Sequence, residues 1–348
     1  MSEGYTRPVV AEGPIRLDLN EAPWDADGAF RRAFLAFLEQ VELRRYPPMD
    51  AFPAREAAAK LYGWVPEGTL VGNGSNEMLA AALAAFGAGR KVLTLFPSFS
   101  VYPFLIARAG GNELRINFEA PGFEIPAAEL LAAARDADVL LLCSPNNPTG
   151  GELSPELWRT LLELGKPTIW DGAYWEFGTS PDMGAWLSTY PHLMVTRTLS
   201  KVWGVAGVRA GCLCTSPATA RTIAKKLLPF APGVAVWAAF AAAASLPQVG
   251  QERAARIVAE RERQLAAIAA IPNVEAVPSR GNFYLLRRRG WTGKRLAEVL
   301  ARRGVAVRPV GELSARGYVR VSVGNPEEGD VLLSVLEEVS REHEGRSG

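Results

Sequence analysis

The chain has 348 residues, 48% of them hydrophobic, which is enough for one large α/β domain with a smaller one appended. A formal net charge of +1 leaves no basic field for nucleic acid and no acidic tail. Three cysteines (Cys143, Cys212, Cys214) lack zinc-ligand spacing, and the two histidines, His192 and His343, are too few for a Ser–His hydrolase or a histidine-held metal, so no metal is expected.

Residues 1–27 are rich in Pro and Gly and contain no signal-type apolar run, so a cytoplasmic protein with no membrane partner is expected. They read as an extended arm, either packed on the surface or crossing a pocket with Asn20 against a substrate. Apolar residues at helical spacing over 28–42 give way near Tyr46 to Pro47 and Pro48. Tyr46 is held extended by the proline that follows and reads otherwise as an ordinary packing residue. A second helix runs to Leu61, with Asp50 as its cap.

Residues 69–71 read as a short strand. Gly72, Asn73, Gly74, Ser75, Asn76 and Glu77 follow and feed an alanine-rich helix to Phe86. A glycine turn at a helix start gathers unpaired N–H groups and the positive end of the dipole. Gly74, Ser75 and Asn76 suit a single phosphate. A dinucleotide fingerprint would want a third glycine where Glu77 stands. Without a ligand, the same segment is a helix capped by Ser75 or Asn73.

A strand over 91–95 precedes a helix that carries Tyr102 at its start and ends near Arg108. Tyr102 reads as a ring-stacking aromatic or as core packing. Strands at 113–118 and 138–142, with a helix at 126–134 between them, complete an alternation that argues for a mostly parallel sheet with ligands at the strands' carboxyl ends. Ser144, Pro145, Asn146, Asn147, Pro148, Thr149 and Gly150 form a turn at that crevice, where Asn147 is placed to donate to a ring hydroxyl if a ring is present. After a helix at 155–164, the strand at 167–170 delivers Asp171, with Tyr174 three residues on. Asp171 is either a turn residue or a carboxylate at a chemical site.

The apolar run 192–196 leads to Thr198, Leu199, Ser200 and Lys201, with Arg209 eight residues further on. A lysine beside a turn is by default a solvated surface group. Here the other segments supply what a lysine-bound pyridoxal phosphate needs. The amine must lose its proton to form a Schiff base. The ring nitrogen needs a carboxylate, the ring oxygen a donor, and the ring face an aromatic. The phosphate needs N–H groups, hydroxyls and an arginine, and a substrate carboxylate needs an arginine fork.

Further on, 210–215 reads as a strand, and 217–227 and 233–244 as helices. A long amphipathic helix over 251–268 bridges to a second domain. That domain holds strands at 274–276, 283–287, 305–308 and 318–323 and helices at 292–303 and 327–341. Arg320 lies in the alternating strand Val319, Arg320, Val321, Ser322, Val323. It needs an anion if buried, or faces water from an edge. Arg308 closes a similar strand before Pro309.

With these segments in place, the chain resembles the fold-type I pyridoxal-phosphate enzymes, and among them most closely the histidinol-phosphate aminotransferase family. The resemblance spans residues 20–320 and is carried best by Ser144 to Gly150 and by Thr198 to Lys201 with Arg209. It implies an α/β fold with a mostly parallel central sheet, helices on both faces and a smaller α+β C-terminal domain. Residues 1–27 would be an arm packing with the small domain, 28–245 the cofactor-binding domain and 246–348 the small domain. The resemblance further implies Lys201 as the Schiff-base lysine, Asp171 on the pyridinium nitrogen, Asn147 and Tyr174 on the ring oxygen, and Tyr102 stacked on the ring. Ser75, Asn76, Ser200 and Arg209 would cup the phosphate. Tyr46 would reach the phosphate of a neighbouring subunit, which implies a homodimer with shared active sites. Arg320 would bind a carboxylate, with Asn282 and Arg308 on the substrate side. The implied reaction moves an amino group between glutamate/2-oxoglutarate and histidinol phosphate/imidazole-acetol phosphate, a step of histidine biosynthesis.

Two departures stand out. Gly172 occupies a position that is usually acidic in the family. Trp24, Trp175 and Trp203 lie beside motif residues, and a pocket rich in tryptophan would favour an aromatic side chain. An aromatic amino-acid aminotransferase and a threonine-phosphate decarboxylase are therefore alternatives. A non-enzymatic nucleotide-binding protein using the turn at Gly72 is a third.

Overall fold

The computed structural model describes residues 15–118, 122–179 and 181–342; His343 lies outside them. The arm contributes β1 (Ile15–Leu17), and α1 (Gly28–Glu39) begins where the Asp27 carboxylate accepts the Ala29 N–H. α2 (Phe52–Tyr62) follows, with Asp50 accepting the Phe52 N–H at 3.2 Å. Strands and helices then alternate: β2 (Thr69–Asn73), α3 (Ser75–Phe86), β3 (Lys91–Phe96), α4 (Tyr102–Arg108), β4 (Asn112–Asn117), α5 (Ala127–Asp136), β5 (Val139–Cys143), α6 (Pro155–Leu162), β6 (Thr168–Asp171), α7 (Met183–Thr189), β7 (Leu193–Thr198) and β8 (Ala210–Thr215).

These strands form a seven-stranded sheet in the order β2-β8-β7-β6-β5-β3-β4. β4, β3, β5, β6 and β7 are mutually parallel, and β8 runs antiparallel to both β7 and β2. β5 reads Val-Leu-Leu-Leu-Cys and is buried throughout, as a central parallel strand covered on both faces must be. The chain goes out from β3 to the edge strand β4 and returns on the other side of β3 as β5. That reversal opens a crevice at the carboxyl ends of β3 and β5.

α8 (Pro217–Ala224) and α9 (Val234–Ser245) follow, and α9, apolar on nearly every side, packs against α1 and α2. The long helix α10 (Pro247–Ile268) starts at Pro247 rather than at 251. It leads into β9 (Val274–Val277), β10 (Phe283–Arg288), α11 (Gly293–Arg302), β11 (Val305–Pro309), α12 (Gly311–Ala315), β12 (Tyr318–Ser322) and α13 (Pro326–Ser340). Asn325 and Glu328 close a reciprocal cap at the start of α13. These strands form a second sheet in the order β1-β11-β12-β10-β9, with β1 parallel to β11 and the other pairs antiparallel. The arm is therefore a strand of the second sheet as well as an extended segment. β1, α7 and α12 were not anticipated, because three to seven residues are too few to display a period.

Candidate active site

A cavity of about 760 Å³ opens at the crevice, bounded on one side by the loops after β3, β5 and β6 and on the other by the arm, β11 and the start of α12. Asp171 stands at its base. It is the last residue of β6 and lies in register with Cys143 on β5 and Thr196 on β7, so the three side chains share one face of the sheet. Thr196 donates its hydroxyl to Asp171 Oδ1 at 3.0 Å, the Ala173 N–H donates to the same oxygen at 3.2 Å, and Tyr102 donates to Oδ2 at 2.7 Å. Burial pushes the Asp171 carboxyl above the ordinary carboxylate range, while Tyr102, Thr196, the Ala173 N–H and the Lys201 amine pull it back. The Tyr102 hydroxyl thus engages the carboxylate directly, a contact outside the stacking role expected of its ring.

At the far end of the cavity α3 begins. Its N-cap, Gly74, has φ +87°, and no side chain caps the helix, so the predicted caps Ser75 and Asn73 are not used. A Cβ on Gly74 would stand 2.5 Å from Arg209 Nη2, so only glycine lets the guanidinium close on this turn. Arg209, itself left-handed at φ +62°, donates to Ala206 O at 2.9 Å and reaches Ser200 Oγ at 3.5 Å. Thr198 Oγ1 accepts the Ser200 N–H at 3.1 Å and holds that serine toward the cavity. Ser75, Asn76, Ser200 and Arg209 all line this end. An uncapped helix start, two hydroxyls and an arginine suit a phosphate dianion, and a carboxylate at the opposite end suits a protonated heterocycle, so the residues fit pyridoxal phosphate.

Lys201 is half-buried and lines the same cavity. Its Nζ donates to Leu19 O of the arm at 3.4 Å and lies 5.8 Å from the centre of the Tyr174 ring. Its pKa drops from the ordinary 10.5 to about 8 through burial first, then through Arg320 and Arg209, against the opposing pull of Glu21 and Asp171. Trapping an aldehyde on Lys201 with borohydride should accordingly rise with a midpoint near pH 8, scored by mass spectrometry of the modified peptide. A midpoint at the ordinary lysine value would contradict the burial seen here.

Tyr174 Oη accepts from Asn20 Nδ2 at 3.0 Å and from Asn147 Nδ2 at 3.2 Å. With both lone pairs used, its own proton remains to be donated into the cavity. Burial keeps that proton on, since the Tyr174 pKa is raised. Asn147 Oδ1 accepts from Arg320 Nη1 at 2.8 Å, and Arg320 Nη2 donates to Asp18 O at 2.7 Å. Arg320 and Arg308 both line the cavity.

Two expectations need correction, that Asn282 faces the substrate and that tryptophans line the pocket. Asn282 does not line the cavity: it is fully buried behind the arm and donates to the main-chain oxygens of Asn20 and Glu21 at 3.1 and 3.4 Å. Tyr46, expected to reach into a neighbouring subunit, lies outside this chain's own cavity; it is 82% exposed, its ring 5.0 Å from that of Phe230. No tryptophan lines the cavity among the described residues. Trp203 packs on Phe30, Trp24 lies under Arg256, and Trp175 packs against Trp170 and Arg197, so the sequence basis for an aromatic substrate is gone. Gly172 is explained locally: a Cβ there would stand 2.8 Å from Thr196 O and 3.1 Å from the Trp175 ring, which leaves no space for an acidic side chain. Thr196 and Thr198 were missed. Their signal was a pair of hydroxyls at alternate positions of β7, on either side of Arg197.

Residues 12–336 match the family model described as aminotransferase class I and II. Histidinol-phosphate aminotransferase from Roseiflexus castenholzii is 36% identical over 341 residues, covering 94% of this chain and 90% of its own length. The Thermococcus gammatolerans enzyme of the same name is 33% identical over 328 residues, with 94% and 92% covered. Among solved structures, the histidinol-phosphate aminotransferase of Clostridium acetobutylicum superposes with TM-score 0.85 at 21% identity, covering 94% of this chain and 99% of that one. The Sinorhizobium meliloti enzyme, solved with pyridoxal-5'-phosphate, gives 0.83 at 24%, with 94% and 91% covered. L-threonine-O-3-phosphate decarboxylase from Porphyromonas gingivalis reaches 0.80 at 20%, with 94% and 100% covered, so the fold alone does not separate the two reactions. A family match over almost the whole chain, joined to relatives above 30% identity, makes this chain a member of the class I and II aminotransferases, within the histidinol-phosphate aminotransferase family.

Proposed function

We propose that the protein is a pyridoxal-phosphate-dependent histidinol-phosphate aminotransferase, moving an amino group between glutamate/2-oxoglutarate and histidinol phosphate/imidazole-acetol phosphate. One observation carries this reading: a lysine amine, a buried carboxylate and an arginine-backed helix start line a single cavity. When bound, pyridoxal phosphate supplies the electron sink that stabilises negative charge at the substrate Cα. The chain's own residues supply the rest. Asp171 would accept from the ring nitrogen, Tyr174 and Asn147 would serve the ring oxygen, and Ser75, Asn76, Ser200 and Arg209 would hold the phosphate. Lys201 Nζ, whose pKa burial and neighbouring cations lower to about 8, is the residue that would take the substrate Cα proton and later give it back, as base and then acid. Arg308 and Arg320 give the substrate side two cations, matched to the carboxylate of glutamate in one half-reaction and to a phosphate ester in the other. A panel of amino donors decides the substrate. Histidinol phosphate should react fastest; a preference for phenylalanine, or carbon dioxide release from threonine phosphate, would overturn the assignment.

A homodimer belongs to the same reading. Leu43, Tyr46, Met49, Leu228 and Phe230 are exposed apolar residues, and Tyr46 packs on Phe230 among them. Sedimentation should show a dimer, and Phe230→Asp should shift it to monomers with loss of turnover. A monomeric, active parent protein would reject the shared site. We take 1–27 as the arm, 28–245 as the cofactor domain and 246–348 as the small domain, in line with the two sheets and the helix α10 that leaves one for the other. A cytoplasmic location accords with cysteines that are all free and buried.

A further inference from the structure

We propose that Arg253, outside the cavity, is a positioning residue that holds the lysine loop and the arm in register through three main-chain carbonyls. Arg253 sits on α10 and is 7% exposed. Its Nε donates to Val202 O at 2.7 Å, its Nη1 to Asp25 O at 2.9 Å and its Nη2 to Trp24 O at 2.6 Å. A guanidinium presents its donors in a rigid plane, so bonding carbonyls from two segments fixes the spacing between those segments.

The two segments carry the reacting groups. Val202 follows Lys201 directly. Trp24 and Asp25 end the stretch whose Leu19, Asn20 and Glu21 line the cavity. Leu19 O accepts from Lys201 Nζ and Asn20 donates to Tyr174, so Arg253 fixes the main chain on both sides of the contact between amine and arm. Two neighbours show how closely these parts fit. Arg256, three residues along α10, lies 3.9 Å from the Trp24 ring centre, and a Cβ on Gly204 would stand 2.6 Å from Trp24 O. The inference rests on the reading of Lys201 as the reacting amine.

The test compares Arg253→Met and Arg253→Lys with the parent enzyme by hydrogen exchange, by aldehyde trapping against pH and by steady-state kinetics. In the methionine variant, exchange should quicken in residues 18–26 and 201–205 while β5 and β6 keep their protection. The trapping midpoint should rise from about 8 toward 10.5 as the amine gains water. kcat/KM should fall about 100-fold, mostly through kcat, as expected when the acid–base group loses its position. The lysine variant should recover part of each change, and it decides the matter if the methionine variant does not fold. A lower melting temperature with an unchanged trapping midpoint, unchanged kcat and uniform exchange would reduce Arg253 to a stabilising residue and overturn the proposal. If the parent fails to trap an aldehyde at Lys201, the catalytic reading fails instead, and localised exchange still reports whether the clasp exists.

Discussion

Lys201→Ala is expected to lose amino-group transfer by about 10²–10⁴-fold, the span a positioned acid–base residue commonly supplies. No other lysine lines the cavity among the described residues, and the arginines that do cannot give up a proton at working pH. Nothing nearby can substitute for the missing amine. The phosphate end is built from Ser75, Asn76, Ser200 and Arg209, none of which depends on the Lys201 side chain, so the variant should still bind pyridoxal phosphate without covalent attachment. Rapid dialysis and single-turnover assays with glutamate measure the two properties separately. Turnover within tenfold of the parent would remove Lys201 from the mechanism.

Asp171→Asn should cost about 10²–10³-fold in turnover, comparable to removing one preorganised electrostatic partner from a reacting centre. The substitution is isosteric: the amide oxygen can still accept from Thr196 and the Ala173 N–H, and the amide nitrogen can donate to a Tyr102 hydroxyl turned to accept, so the loss reports charge rather than collapse. Asp171→Ala should be worse in a second way. It leaves the buried hydroxyls of Tyr102 and Thr196 without their acceptor, at about 1–3 kcal/mol for each unsatisfied group. The asparagine variant should therefore melt close to the parent and the alanine variant well below it. Turnover equal to the parent's in both variants would mean that the carboxylate is no charge partner, and equal melting temperatures in the two variants would mean that it is no hydrogen-bond hub.

Much of the site was legible because its residues follow strand ends. Asp171, Asn147 and Lys201 each come just after a short apolar run, and in a parallel sheet those ends converge on one edge. The succession of strands and helices along the chain and the bounds of most helices follow from local periods. What escaped was whatever depends on distant partners. Nothing around Ile15–Leu17 says that it pairs with β11, and nothing around Asn282 says that it supports the arm rather than facing a ligand. The tryptophans misled for the same reason: adjacency to a motif in sequence does not decide which side of the backbone a ring takes, and all three turn away from the cavity. Thr196 became meaningful only once β6 and β7 were in register.

The pairing of β1 with β11 has a consequence for synthesis on the ribosome. β1, which emerges before the other described strands, must wait for β11 before it can settle, whereas the elements proposed to grip the phosphate, from α3 to Arg209, precede α10. A nascent polypeptide arrested just after α9 would thus be equipped to capture the vitamin-derived group yet would lack a wall against which to hold an amino acid.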